Sequence, residues 1–179
     1  MPFIDGAGVL DFGCGIHLRT LRLIGAKARA RYGIDSAFAS TSAYTTDDGI
    51  CVVGSFEDLR QALIQDRQKI TCILSLACFE HLEPANCREV LKELADIAAP
   101  NCLLVGTVPT PPAKPVLEFL SYRLRLIDRT QIEDHRIYYD QGTLSQMING
   151  TGWEMIEYRR FQLGMNSFFR FKKTAISDT

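Results

Sequence analysis

Excess charge of either sign is missing from this chain: 20 Lys and Arg face 21 Asp and Glu, a formal net charge of -1. No large electrostatic pull toward nucleic acid or an anionic membrane follows from such a balance. Also missing is any apolar run of the ~18 residues that a bilayer-spanning helix needs. The N-terminus, "MPFIDGAGVLDFGCG", carries acids early and lacks the basic stretch of a secretion signal, so a cytoplasmic protein is expected. Six cysteines occur, but none stands in a C-x-x-C pair, and most lie inside apolar runs where a reduced thiol packs as a small hydrophobe. Cys78, His81 and Cys87 fit no common zinc spacing, so no metal is expected. Internal repeats and low-complexity tracts are absent too.

What is present is an ordinary globular balance, 46% hydrophobic and 23% charged, over 179 residues, a length that suits one domain with a full core. Short apolar runs alternate with amphipathic ones. "AGVLDF", "ARYGID", "GICVVG", "ITCILSLA" and "NCLLVGTVP" read as strands, the fourth apolar throughout as in a sheet covered on both faces. "HLRTLRLIGA", "SFEDLRQALIQDR" and "PANCREVLKELADIAAP" read as helices, the last opened by Pro84 and closed before Pro100. The proline-rich "PTPPAKP" suits neither helix nor central strand, and "VLEFLSYRLRLI" after it reads as an amphipathic helix. "DQGTLSQMINGTGW" is a helix that Asp140 caps. "WEMIEYRRF" and "MNSFFRFKK", split by "QLG", read as an antiparallel hairpin, and the basic residues of "YRRF" and "RFKK" read as a solvated edge. The expected fold is α/β: a doubly wound, mainly parallel seven-stranded sheet ending in that hairpin, as one domain over 1–179 with a lid or substrate segment at 109–136.

"VLDFGCGIHLRTL" places Gly13 and Gly15 just after the first strand, where a doubly wound sheet binds ligands. Asp35 closes the second strand, placed to accept both hydroxyls of a ribose. The dinucleotide fingerprint G-x-G-x-x-G is not completed, because Leu18 holds the third position. Asp11 beside the loop would repel a pyrophosphate by ~1 kcal/mol or more, yet suits a cationic ligand.

On these residues the chain resembles a class I S-adenosylmethionine-dependent methyltransferase of the broad type-11/type-23 group. "VLDFGCG", "YGIDSA", "VVGSFEDL", "LSLACFEHLEP", "LLVGTVPTPP" and "EDHRIYYDQGTLSQMINGTGWEMIE" resemble that group's motifs in order. The resemblance implies S-adenosylmethionine as cofactor and methyl transfer to a small-molecule acceptor, of which a sugar or a lipid-linked metabolite is an example. Asp11, Gly13, Gly15, Leu76 and Ala77 are implied for its methionine end, Asp35 with Ser36 for the ribose, and Ser55 with Phe56 for the adenine. His17, Ser55 and the short stretch before the first strand depart from the pattern. A homo-oligomer or partner chain completing the N-terminal side is therefore expected, and a non-catalytic methyltransferase-like partner subunit is the rival function.

The general base is sought among the histidines. His81 reads as a base or cofactor contact, or as a helix-terminal residue bonding backbone. His135 reads as a base over the pocket mouth, or as a structural cap. His17 reads as a contact to the cofactor carboxylate, or as steric filling. Glu80 and Glu83 read as a solvated helix entrance, with a carboxylate pair for acid–base work as the other reading. "VLEFLSYRLRLIDR" reads as a lid helix, with a membrane-surface helix as the other reading.

Overall fold

A computed structural model of the chain describes residues 3–112 and 138–174. The glycine-bounded apolar runs become strands. β1 (Gly8–Phe12), β2 (Ala30–Ile34), β4 (Ile50–Val53), β5 (Ile70–Leu76) and β6 (Ala98–Pro109) are joined by parallel pairings. β7 (Trp153–Phe161) and β8 (Asn166–Lys173) form the antiparallel hairpin, with β8 antiparallel to β6. The sheet has eight strands in the order β3-β4-β2-β1-β5-β6-β8-β7, one more than the seven expected. The addition is the short β3 (Tyr44–Thr45). Gly49, at φ 76°, reverses the chain; the Thr46 N–H donates to Ile50 O and the Thr46 hydroxyl accepts from Ile50 N–H, which folds Tyr44–Thr45 back against Cys51 and Val52.

Four α-helices lie among the described residues. α1 is Arg19–Ile24, α2 is Phe56–Asp66, α3 is Pro84–Ile97 and α4 is Gln141–Ile148. α3 closes before Pro100, as expected, with Ile97 its last residue. Ala98 is already extended and pairs with Ile70, and Ala99, directly before the proline, is disfavoured in helical geometry. β6 in turn runs through Pro109, whose missing N–H is tolerable at the strand's last residue.

Apolar side chains alternate across the sheet into two cores. One holds Leu10, Ile73, Leu104, Phe169 and Phe171 against Leu59 and Leu63 of α2, Leu91 and Leu94 of α3, and Leu144 of α4. The other holds Val9, Cys72, Leu74 and Val105 with Leu21 and Ile24 of α1. The central strands are buried on both faces, which is why they read as continuous apolar runs. The order of strands reverses direction between β1 and β5, and this topological switch leaves a crevice at their C-terminal ends. Beyond Pro112, the expected lid segment lies outside the described residues, as does His135.

Candidate functional site

The first strand delivers its acid and glycines to that crevice. Gly13 has φ 80° and Gly15 has φ 61°, left-handed geometry that glycine adopts without penalty. Gly13 is also required by space: an added Cβ would lie 2.5 Å from the Cys78 Sγ. At Gly15 an added Cβ would meet nothing within 4 Å, so that backbone faces open room. The Gly15 N–H donates to Asp35 Oδ2 at 2.9 Å. Oδ1 of Asp35 accepts from Ala37 N–H, also at 2.9 Å, and caps the single 3₁₀ turn Ser36–Phe38. The acid ending β2 is thus fixed between the glycine loop and the next turn. A carboxylate has about four lone-pair sites, and two remain for a ligand.

Asp11 is 2% exposed. Burial pushes its carboxyl up to about 6; a hydrogen bond from the Thr20 side chain opposes this, and the Asp35 charge adds to it. A second acid, read from the sequence as solvated, is buried. Glu80, expected at a solvated entrance, is 2% exposed, and burial pushes it up to about 7. The reason is the 3₁₀ turn Phe79–His81, which turns Phe79 and Glu80 inward and leaves His81 exposed. Glu80 Oε2 is buried without a hydrogen-bond partner. Glu83 is exposed, as read. Cys78 lies among these acids: burial first, and then the charges of Glu80, Asp35 and Asp11, raise its thiol to about 12. This cysteine is a packing partner of Gly13 and not a ready nucleophile.

At the end of β5, Leu76 is 42% exposed and Ala77 has φ 51°. The Ala77 N–H donates to the carbonyl and hydroxyl oxygens of Thr107 at 3.0 and 3.2 Å. At the end of β4, Ser55 caps α2. Its hydroxyl accepts from Asp58 N–H and donates to the Asp58 carboxylate at 2.6 Å. Phe56 stacks on Phe12 with ring centroids 6.1 Å apart, and Phe12 stacks on Phe79 at 5.9 Å. His17 is exposed on the loop, while Leu18, at the missing third-glycine position, is buried with φ 52°. The His81 N–H donates to Cys78 O at 3.1 Å. Asp11, Gly13, Gly15, Asp35, Ser36, Ser55, Phe56, Leu76 and Ala77 therefore gather at the C-terminal ends of β1, β2, β4 and β5. A cavity of about 610 Å³ lined by Leu63, Ile64, Lys69 and Ile97 lies at the opposite ends of the strands and has no part in this cluster.

The family model described as a methyltransferase domain matches residues 2–158. The chain belongs to this methyltransferase-domain family. No curated protein matches it significantly. Among solved structures, an S-adenosylmethionine-dependent methyltransferase from Mesorhizobium loti superposes with a TM-score of 0.64 at 12% identity, over 97% of this chain and 94% of the other. Magnesium protoporphyrin IX methyltransferase from Synechocystis PCC 6803, with bound S-adenosylhomocysteine, gives 0.58 at 13% identity over 96% and 76%. A possible exported protein from Bordetella parapertussis gives 0.63 at 14% identity over 97% of this chain, which spans only 64% of that protein. At these identities the likeness is one of fold.

The crevice of this methyltransferase domain fits S-adenosylmethionine chemically. Asp11, Asp35 and Glu80 crowd one loop closely enough that Cys78 feels all three. That favours a ligand carrying positive charge and no phosphate. Among the described residues no helix is long and apolar enough to cross a membrane.

Proposed function

We propose that this methyltransferase domain transfers the methyl group of S-adenosylmethionine to a small-molecule acceptor. The observation that carries the reading is the Gly15–Asp35 tie within an acidic crevice, in a chain whose family match spans residues 2–158. When bound, the cofactor supplies an electrophilic methyl on a sulfonium. Asp35 holds the ribose hydroxyls with its spare lone pairs, with Ser36 beside it. Gly13 and Gly15 allow close backbone approach, and Asp11 with the Leu76–Ala77 end of β5 borders the methionine part. Phe56 and the Ser55–Asp58 pair border the adenine. Asp58 supplies the acid that Ser55 lacks, since the two are hydrogen-bonded.

Methyl transfer from sulfur is an in-line displacement, so placing the acceptor atom opposite the sulfur supplies much of the rate. His81 and His135 are the candidate bases for an oxygen acceptor. All six cysteines are free thiols, in keeping with a reducing, cytoplasmic setting. A net charge of -1 favours a small acceptor over nucleic acid.

Isothermal titration with S-adenosylmethionine and S-adenosylhomocysteine tests the reading. Binding of both is expected, and Asp35→Ala should weaken it at least about tenfold, the scale of one lost charge-assisted hydrogen-bond pair. No binding at millimolar concentration would end the proposal, and unchanged affinity in Asp35→Ala would end the ribose role.

A further inference from the structure

The sheet face that carries Leu76 continues away from the crevice. Leu76 is paired with Thr107, Thr107 with Phe168, and Phe168 with Arg159, so one row of side chains crosses β5, β6, β8 and β7. At about 4.8 Å per strand, this row runs ~14 Å from the cofactor edge. The next row on the same face is Val105, Arg170 and Glu157. Between them lies a cavity of about 490 Å³ whose walls include Thr107, Glu157, Arg159, Phe161, Phe168 and Arg170. This volume falls in the range of small-molecule sites.

The charges in this cavity do not cancel. Glu157 pairs with Arg159 and, at 3.0 Å, with Arg170, so one carboxylate faces two guanidinium groups. The shared carboxylate holds both forks in place. Arg170 Nε is nevertheless buried with no hydrogen-bond partner. Two guanidinium groups with five N–H donors each exceed what one carboxylate can accept, and an oxyanion is the partner that a guanidinium fork matches best. Phe161 and Phe168 line the same cavity and supply its apolar wall. The arginines of "YRRF" and "RFKK" are thus more than a solvated edge.

The geometry points to this cavity as a binding site for a small organic anion, an oxyanion head carried on an apolar ring. Resting on the methyl-transfer reading, that anion is the methyl acceptor, because the row from Thr107 begins at Leu76 beside the proposed cofactor site. Arg159 and Arg170 hold the head, Phe161 and Phe168 hold the ring, and the remainder of the molecule extends toward Thr107.

The test uses the whole chain saturated with S-adenosylhomocysteine, titrated with benzoate, phenyl phosphate and the neutral benzamide. Benzoate or phenyl phosphate should bind at least about tenfold tighter than benzamide, the discrimination expected of a charge-assisted pair. Which of the two binds tighter names the head group. Arg170→Gln should erase the preference, and Arg170→Lys should restore only part of it, since an ammonium lacks the fork. Arg159→Gln, at a position 74% exposed and safe for folding, should reduce it several-fold. Affinity for S-adenosylhomocysteine should stay within about twofold in every variant. Equal binding of benzamide and the anions, or no effect of either Gln variant, overturns the proposal. So does a 12-nucleotide single-stranded RNA that depends on both arginines and displaces benzoate, which would assign the face to nucleic acid. Anion binding without S-adenosylmethionine binding would leave the cavity standing and remove the methyl-transfer reading. Cofactor binding without the anion preference would do the reverse.

Discussion

Glu80 is a carboxyl that water would keep ionised at neutral pH, and its burial takes that water away. Its folded value of about 7 stands above the ordinary 4.5. Below pH 4.5 the group is protonated in both states and costs nothing. As pH rises toward 7 the unfolded chain ionises first, so the folded state loses stability, by roughly 3 kcal/mol at most, and the loss levels off above 7. Glu80→Gln removes this titration. Thermal unfolding across pH 4 to 8 should therefore fall less steeply in the variant than in the parent, and parallel curves would refute the assignment. Asp11 was legible in the sequence because it lies near the end of the first apolar run, just before the glycines. Glu80 was not, since only the turn Phe79–His81 decides which of three adjacent side chains points inward. Leu18 answers the question of the missing third glycine. It keeps the left-handed φ of 52° that a glycine would favour, yet buries its side chain beside Leu21. Leu18→Gly would relieve roughly 1 to 2 kcal/mol of backbone strain. It would forfeit a buried leucine, a loss of roughly 2 to 5 kcal/mol even when truncated only to alanine. Net destabilisation is expected in urea unfolding, and a stabilised variant would show that the strain dominates.

The elements were legible wherever one physical signal ruled. β1, β2, β4 and β5 lie within a residue or two of the apolar runs that announced them, because burial on both faces keeps polar residues in them few. β3 was not legible, since two exposed residues carry no hydrophobic pattern and their pairing depends on the Gly49 reversal. α3 ends before Pro100, as the sequence announced; that β6 already starts at Ala98 was not legible, since it depends on pairing with Ile70. α4 shows a sequence signal realised in full. Asp140 Oδ1 accepts from Thr143 N–H at 2.8 Å, and Thr143 Oγ1 accepts from Asp140 N–H at 2.8 Å. The helix has only eight residues, so its start matters more than propensity. Asp140→Ala should lower stability by about 1 kcal/mol, whereas Asp140→Asn should keep most of it. Urea midpoints for the two variants separate capping from charge, and equal losses would mean that the charge is what counts.

Across the whole molecule, the strand order fixes where a ligand can sit, and the charges decide which ligand. The reversal between β1 and β5 opens the crevice, and three carboxyls converge on it from β1, from the end of β2 and from the turn after β5. The glycine spacing alone left a dinucleotide open; the acids are what argue against phosphate. S-adenosylmethionine carries one more positive charge than S-adenosylhomocysteine, at the sulfonium. A cation arriving beside Asp11 and Glu80 favours their ionised forms, which burial holds back to about 6 and about 7. By linkage, affinity for S-adenosylmethionine should rise as pH increases from about 5.5 to 8 and level off once both acids are ionised. The gain should be at least about fivefold for the sulfonium and under about twofold for the neutral product. Added salt should act in the opposite sense: between about 0.05 and 0.5 M, screening weakens binding of the cation while barely touching the product. Paired titrations of both ligands over pH and salt read this difference directly. Identical profiles for the two would mean that the acids serve the fold alone, and that discrimination between cofactor and product must come from shape.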